Sequence, residues 1–214
     1  MAGESPVYNY EKPMANLTAA MGSGPTLPVV IVVTSAGSIS IETYNVPPTS
    51  DVTITLNGGD GGGGAGDGVS KGGGGGGSGG GLMAIIPAAT WAMGGTLVIG
   101  AAGTGGAAST DNGTDGGDST LTIDSIELLK AGKGLHGVST GSTGGAGGTN
   151  VVDSSITAIR NIPGNPGTAG TTLAAGSGGD PVLGALVGGG NGGAVDAGAG
   201  ANGGVGRAMI QFPV

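Results

Sequence analysis

Apolar residues along this chain come in short runs. Val29–Val33 is a continuous β-branched run, the pattern of a strand buried on both faces or docked against a neighbour. Further on, Ile39 and Ile41 alternate with Ser38, Ser40 and Glu42. After the turn-forming stretch Val46-Pro47-Pro48-Thr49-Ser50, Val52, Ile54 and Leu56 alternate with Thr53 and Thr55. This predicts a pair of half-buried strands. Leu97-Val98-Ile99 predicts another. Leu121–Leu129 also fits a strand, with a short helix over Ile123–Ala131 as the rival; the flanking Thr and Gly favour the strand. Ala208, Ile210 and Phe212 alternate with Met209 and Gln211 at the end of the chain. That closing strand is expected to pair with Val52–Leu56 and join the two ends of the domain.

At Asn57 the pattern changes. From there to Gly206 the apolar spacers alternate with glycine-rich pieces, near 57–68, 72–81, 100–106, 112–117, 144–148, 174–179, 187–193 and 198–206. Glycine makes up 55 of 214 residues, against about 7% in an ordinary chain. Such pieces are either flexible linkers or polyproline II helices lying side by side, three residues to the turn and bonded only to their neighbours. At about 3.1 Å per residue, Gly72–Gly77 would span about 19 Å. Glycine is entropically costly to order, so many interchain bonds must form together. The Leu and Ile spacers, and a hydrophobic content of 37% with only 9% charged residues, favour the packed form over disorder. Collagen's strict glycine period and the nonapeptide of calcium-binding β-rolls are both missing. The expected fold is mainly β and irregular: short strands and packed polyproline II helices, with little or no α-helix.

Residues 1–38 read as an N-terminal docking arm and 39–214 as the glycine-rich domain. In the arm, Tyr8 and Tyr10 are the aromatic residues and Val29, Val30, Ile31, Val32 and Val33 the apolar strand, so these are the candidates for oligomer or virion docking. The net charge is −8, and the six Lys and Arg residues are scattered. Without a basic stripe, nucleic-acid binding is not expected. There is no cysteine, the first residues have neither the basic start nor the apolar core of a signal peptide, and no apolar run approaches the ~20 residues that span a bilayer. Membrane insertion is not expected.

Candidate chemistry is sparse. His136 is the only histidine, so a Ser–His–Asp site would need it beside Ser139 or Ser142; a solvent-exposed loop histidine is the simpler reading. Asp111, Asp115, Asp118 and Asp124 are dense enough for Ca²⁺ but follow no calcium-loop spacing. Ala131-Gly132-Lys133-Gly134 lacks the residues of a P-loop. No catalytic residue, metal or cofactor is therefore assigned. Recognition is expected in the polar loops Thr104–Asp115, Lys133–Thr143, Arg160–Thr168 and Asp180–Ala185, where a rigid scaffold would hold them. The candidate residues are Asp111, Asn112, Lys133, Leu135, His136, Arg160, Asn161 and Asn165. Trp91, the only tryptophan, is either core filler or a binding anchor.

Val46-Pro47-Pro48 followed by Val52-Thr53-Ile54-Thr55-Leu56-Asn57-Gly58-Gly59-Asp60-Gly61-Gly62-Gly63-Gly64 resembles the opening of the glycine-rich domain of bacteriophage tail proteins, where a strand runs straight into a glycine burst. Thr96–Gly106, Asn112–Ser119 and Gly203–Ile210 are similar to later elements of that family. In style the chain is also similar to the tail-fibre tip adhesins of T-even-like phages, which pack their glycine motifs as a polyglycine sandwich. The resemblance implies a virion protein, assembled in the bacterial cytoplasm. It also implies homo-oligomers, with trimers favoured, and contact with other virion proteins. The loops between motifs would bind a host outer-membrane protein or surface polysaccharide.

Overall fold

The computed structural model describes residues 7–9, 28–44, 50–107, 111–139, 143–172, 174–183, 188–194 and 198–213. Eleven strands among them form two sheets. One sheet holds β1 (Val7–Asn9), β2 (Val29–Val33), β4 (Val52–Asn57), β5 (Gly81–Ile86), β10 (Thr157–Ile162) and β11 (Arg207–Phe212), in the order β1-β2-β11-β4-β5-β10. The other holds β3 (Gly37–Ser40), β6 (Gly95–Ile99), β7 (Ser119–Ile123), β8 (Ile126–Ala131) and β9 (Val151–Val152), in chain order. Among the described residues helix is limited to α1 (Ala88–Trp91), a 3-10 turn at Ile41–Tyr44 and 3-10 geometry at Ser139. The fold is mainly β, as the alternation of apolar residues indicates.

Alternation decides which face of each strand is buried. Val52, Ile54 and Leu56 of β4 turn inward together with Leu82, Ala84 and Ile86 of β5 and Ala208, Ile210 and Phe212 of β11. Leu97, Ile99, Leu121, Ile123 and Leu129 meet them from the second sheet. β11 pairs antiparallel with β4, Ile210 opposite Ile54, so the chain ends do join as expected.

Two strand expectations are corrected, and the strand expected at Val29–Val33 is present. Ile39 and Val52–Leu56 do not pair with each other: β3 joins β6 in one sheet while β4 joins β5 and β11 in the other. Leu121–Leu129 is not one strand but a hairpin, because Asp124 and Ser125 adopt positive φ (49° and 64°) and make a two-residue turn. Val29–Val33 is spent inside this chain as β2, bonded to β11 and β1, with Ile31 and Val33 in the core. Tyr8 lies on β1; Tyr10 lies outside the described residues.

Beyond the sheets the strands continue into glycine segments. In chain order these are g1 (58–67), g2 (71–80), g3 (100–106), g4 (111–118), g5 (132–139), g6 (143–149), g7 (163–171), g8 (174–180), g9 (188–193) and g10 (198–206). Their hydrogen bonds step by three residues, the period of polyproline II. From g1, Gly58, Gly61 and Gly64 donate to Gly80, Gly77 and Gly74 of g2. Gly59, Gly62 and Ala65 donate to Gly117, Thr114 and Asp111 of g4, and Asp60, Gly63 and Gly66 to Gly204, Ala201 and Gly198 of g10. Carbonyls of g1 accept from g3, g5 and g9. Thus g1 has a bonded neighbour in six directions, and g2 likewise has g1, g5, g6, g7, g8 and g9. The other eight segments close a ring around this pair, each bonded to the next. The glycine bursts are therefore a packed lattice, not linkers.

Close approach is what demands glycine here. A Cβ on Gly62 would lie 2.0 Å from the Thr104 carbonyl oxygen, and one on Gly76 would lie 2.2 Å from that of Gly61. These obstacles are backbone and cannot swing away. Ring segments need glycine where they face inward, as with Gly164, Gly167 and Gly170 of g7, whose Cβ atoms would strike the carbonyls of Ser78, Gly75 and Gly72. They also need it at some positions facing the next ring segment, as with Gly105, Gly144 and Gly147, whose Cβ atoms would strike those of Gly200, Gly167 and Gly164.

Candidate functional site

Where strands of period two pass into segments of period three, some backbone groups lose their regular partners. Buried polar side chains supply them. Ser119 Oγ accepts from Gly100 N (2.9 Å) and donates to the Asn57 carbonyl (2.6 Å), and Asn57 Nδ2 donates to the Val182 carbonyl (2.8 Å). Asn150 receives the Gly132 amide and donates to the carbonyls of Gly81 and Ile162. Asp60, only 2% exposed, accepts from Gly79 N at 2.7 Å. Burial pushes its carboxyl up to about 7, although the Gly79 and Gly204 amides pull the other way.

On the ring's outer side, amides that point away from the lattice would stand open, as they do along the edge of a sheet. Side chains from the adjacent segment cover many of them. The most regular case joins g4 to g5. Asn112, Asp115 and Asp118, three residues apart, accept from the backbone amides of Ser139 (2.8 Å), His136 (3.0 Å) and Lys133 (2.8 Å). Thr114 of g4 and Asn202 of g10 do the same for Thr104 and Gly105 of g3.

The same carboxylates carry ion pairs. Asp115 Oδ2 meets Lys133 Nζ at 3.0 Å and its Oδ1 meets His136 Nδ1 at 2.6 Å, while Asp118 Oδ2 meets Lys130 Nζ at 2.8 Å. Partial burial would raise both carboxyls, but hydrogen bonds from His136 and Lys133 outweigh it and hold Asp115 at about 2. Lys130 and the Lys133 amide hold Asp118 below the usual range. Beside this cluster lies a groove of about 310 Å³, lined by Asp118, Lys130, Gly132, Lys133, Leu135, Ala146, Gly147 and Thr149. Its walls are g5 and g6.

The expected recognition loops are placed differently from the sequence reading. Lys133, Leu135 and His136 sit on lattice segment g5 rather than in a loop, and Asn165 on g7, where its amide donates to Ser78 Oγ at 2.8 Å. The loops proposed at 133–143 and 160–168 are thus largely scaffold. The overlooked signal is local: Gly134-x-x-Gly137 and Gly164-x-x-Gly167-x-x-Gly170 carry the three-residue period over short stretches. Arg160 and Asn161 are on the exposed edge strand β10, where Asn161 Oδ1 accepts from Asn150. Asp111 and Asn112 open g4 at the far end. Trp91 is 4% exposed and packs edge-on against Phe212, with ring centroids 5.6 Å apart, so it fills the core and is not a surface anchor. Segments g4, g5, g6 and g7 are consecutive in the ring. Asp111, Asn112, Lys133, Leu135, His136 and Asn165 are therefore spread over these neighbouring segments, and Arg160 and Asn161 lie apart on β10. Of these residues Lys133 and His136 are brought together, through Asp115.

The ladder Asn112–Asp115–Asp118 was legible as N-x-x-D-x-x-D, yet it reads in sequence as a dense acidic cluster. Among the described residues, no three His, Cys, Asp or Glu side chains come together as metal ligands. No helix among them is long and apolar enough to cross a membrane. No family model matches the chain, and no curated protein matches it.

Proposed function

We propose that this is a non-enzymatic bacteriophage virion protein, a tail-fibre or spike adhesin that recognises a host cell surface. The observation that carries the reading is the division of labour in the ring segments. Inward positions are fixed as glycine by backbone contacts at about 2 Å, while the side chains of Leu135, Ala146 and Thr149 point outward and are exposed. A rigid frame with interchangeable outer residues suits binding, because little ordering cost remains when a partner arrives.

The frame also gathers its connections. Ala65 bonds Asp111, Gly66 bonds Gly198, Gly72 bonds Thr171, Thr171 bonds Ala174 and Val138 bonds Thr143. The described segment ends that these bonds join, at Ala65, Gly66, Gly72, Asp111, Val138, Thr143, Thr171, Ala174 and Gly198, consequently lie together at the end remote from the sheets. That end and the g4–g7 wall are the surfaces proposed to meet the host, either an outer-membrane protein or a polysaccharide. The sheet end, with edges β1, β10, β3 and β9, is the side proposed to face other virion proteins or sister subunits. Fluorescently labelled protein incubated with a panel of bacterial strains tests the reading. Saturable binding to some strains, competed by unlabelled protein, supports it. A folded sample that binds none points instead to a purely structural virion component.

A further inference from the structure

Lys130 and Lys133 are two of only six Lys and Arg residues in a chain of net charge −8, and both line the same groove. Each ammonium has three N–H donors and is paired with one carboxylate, Asp118 for Lys130 and Asp115 for Lys133. Those carboxylates are themselves held by the backbone amides of Lys133 and His136. The ammonium groups are therefore positioned by the lattice with donors to spare. Gly132, Ala146 and Gly147, with little or no side chain, also line the groove; Thr149 adds a hydroxyl and exposed Leu135 an apolar side chain.

We propose that this groove binds a carboxylated sugar residue of a surface polysaccharide, with the carboxylate at Lys130 and Lys133 and the ring against Gly132, Ala146 and Gly147. This rests on the host-surface reading and names the ligand class for one of its faces. The size fits: about 310 Å³ is at the low end of small-molecule sites and accommodates roughly one or two pyranose rings. The lining has no aromatic residue on which a neutral sugar would stack. Protein partners usually insert aromatic or large apolar anchors into deep pockets, and the only large apolar side chain lining this groove is Leu135. Charge-assisted hydrogen bonds to a carboxylate are the strongest contacts its residues can make.

The test titrates the full chain with a hexuronate tetrasaccharide, a matched neutral tetrasaccharide, an oligoglutamate peptide and inorganic phosphate, reading amide shifts of g5 and g6 by NMR. The expected result is saturable hexuronate binding, at least roughly tenfold tighter than the neutral sugar, the peptide or phosphate, which corresponds to about 1.4 kcal/mol. Lys130→Gln/Lys133→Gln should lose about tenfold, and Lys130→Arg/Lys133→Arg should retain binding. Equal affinity for the neutral sugar, equal affinity for the peptide or phosphate, no saturation, or an unaffected Gln double variant with native unfolding behaviour overturns the proposal. Cell binding separates the two readings. If the Gln double variant still binds the same strains as the wild type, the groove proposal fails and the adhesin reading stands. If the wild type binds no strain, the adhesin reading fails and the hexuronate titration alone decides the groove.

Discussion

The sheet end and the glycine lattice are built from the same chain, often from one continuous run, yet they exclude water in opposite ways. At the sheet end Ile54, Leu97, Leu121 and Ile210 fill the space between two sheets with side chains. In the lattice g1 and g2 are just as buried, but almost nothing there has a side chain, and the contacts are carbonyl against Cα. The sheet core gains from apolar area removed from water. The lattice gains little that way and depends on many hydrogen bonds, each worth only about 0.5–1.5 kcal/mol net, plus weak Cα–H···O contacts. Neither half is plausible alone: the sandwich aligns the ends of the segments, and the segments tie together strands far apart in sequence.

Breaking the central pair should have the largest effect. Gly76→Val puts a branched side chain where a Cβ alone would lie 2.2 Å from a carbonyl oxygen, and the whole chain should fail to fold. Near-UV dichroism of Trp91 reports the sheet end; if it persisted in this variant, the two regions would be independent and the comparison wrong. Leu97→Ala, in the sheet core, should cost roughly 2–5 kcal/mol in denaturant unfolding while the lattice survives.

Asp60 gives a pH signature opposite to that of the surface acids. Its folded carboxyl is raised to about 7 from 3.8, so the folded state holds the proton more tightly than the unfolded chain does. Stability is therefore fullest below about pH 4, falls as pH rises towards 7, and then levels off. The loss is on the order of 4 kcal/mol, and Asp60→Asn should abolish most of it. Asp115 and Asp118 act the other way, since their stabilisation is lost as pH falls below about 4. Thermal melts from pH 3 to 8 should thus peak on the acid side of neutrality in the wild type but not in Asp60→Asn.

Smaller still, Asp115→Ala uncovers the His136 amide and should cost about 1 kcal/mol, with faster hydrogen exchange at that amide as the direct readout. Ala146→Ser, exposed on g6, should change stability by less than about 0.5 kcal/mol. A larger loss would mean that the outer third of the lattice is not free to vary.

What the sequence shows follows from where each physical cause lies. The β4 and β11 strands were readable because burial on one face writes alternation directly, and their pairing followed. The long glycine bursts of g1 and g2 were readable because a segment surrounded on six sides needs glycine almost everywhere; Asp60, Ala65 and Ser78 are the departures inside them, and Asp67 and Lys71 stand at their far ends. Ring segments g5 and g7 were hidden because they need glycine at only some positions and fill the rest with residues that look like loop. The Lys130–Lys133 groove was hidden more deeply. Lys133 was singled out, but Lys130 lies on β8 and the opposite wall comes from g6, so only the pairing of segments assembles it.

The three-residue step has a consequence for how such a protein can change in size. Adding three residues to a segment adds one turn, about 9 Å at 3.1 Å per residue, and returns every later residue to its former direction. Adding one or two would turn an outward residue such as Leu135 into a neighbouring backbone. Length in this architecture is therefore quantised: the scaffold can grow or shrink by whole turns, carrying its far-end crossings nearer to or further from the sheets, while intermediate lengths are forbidden by the same contacts that hold it together.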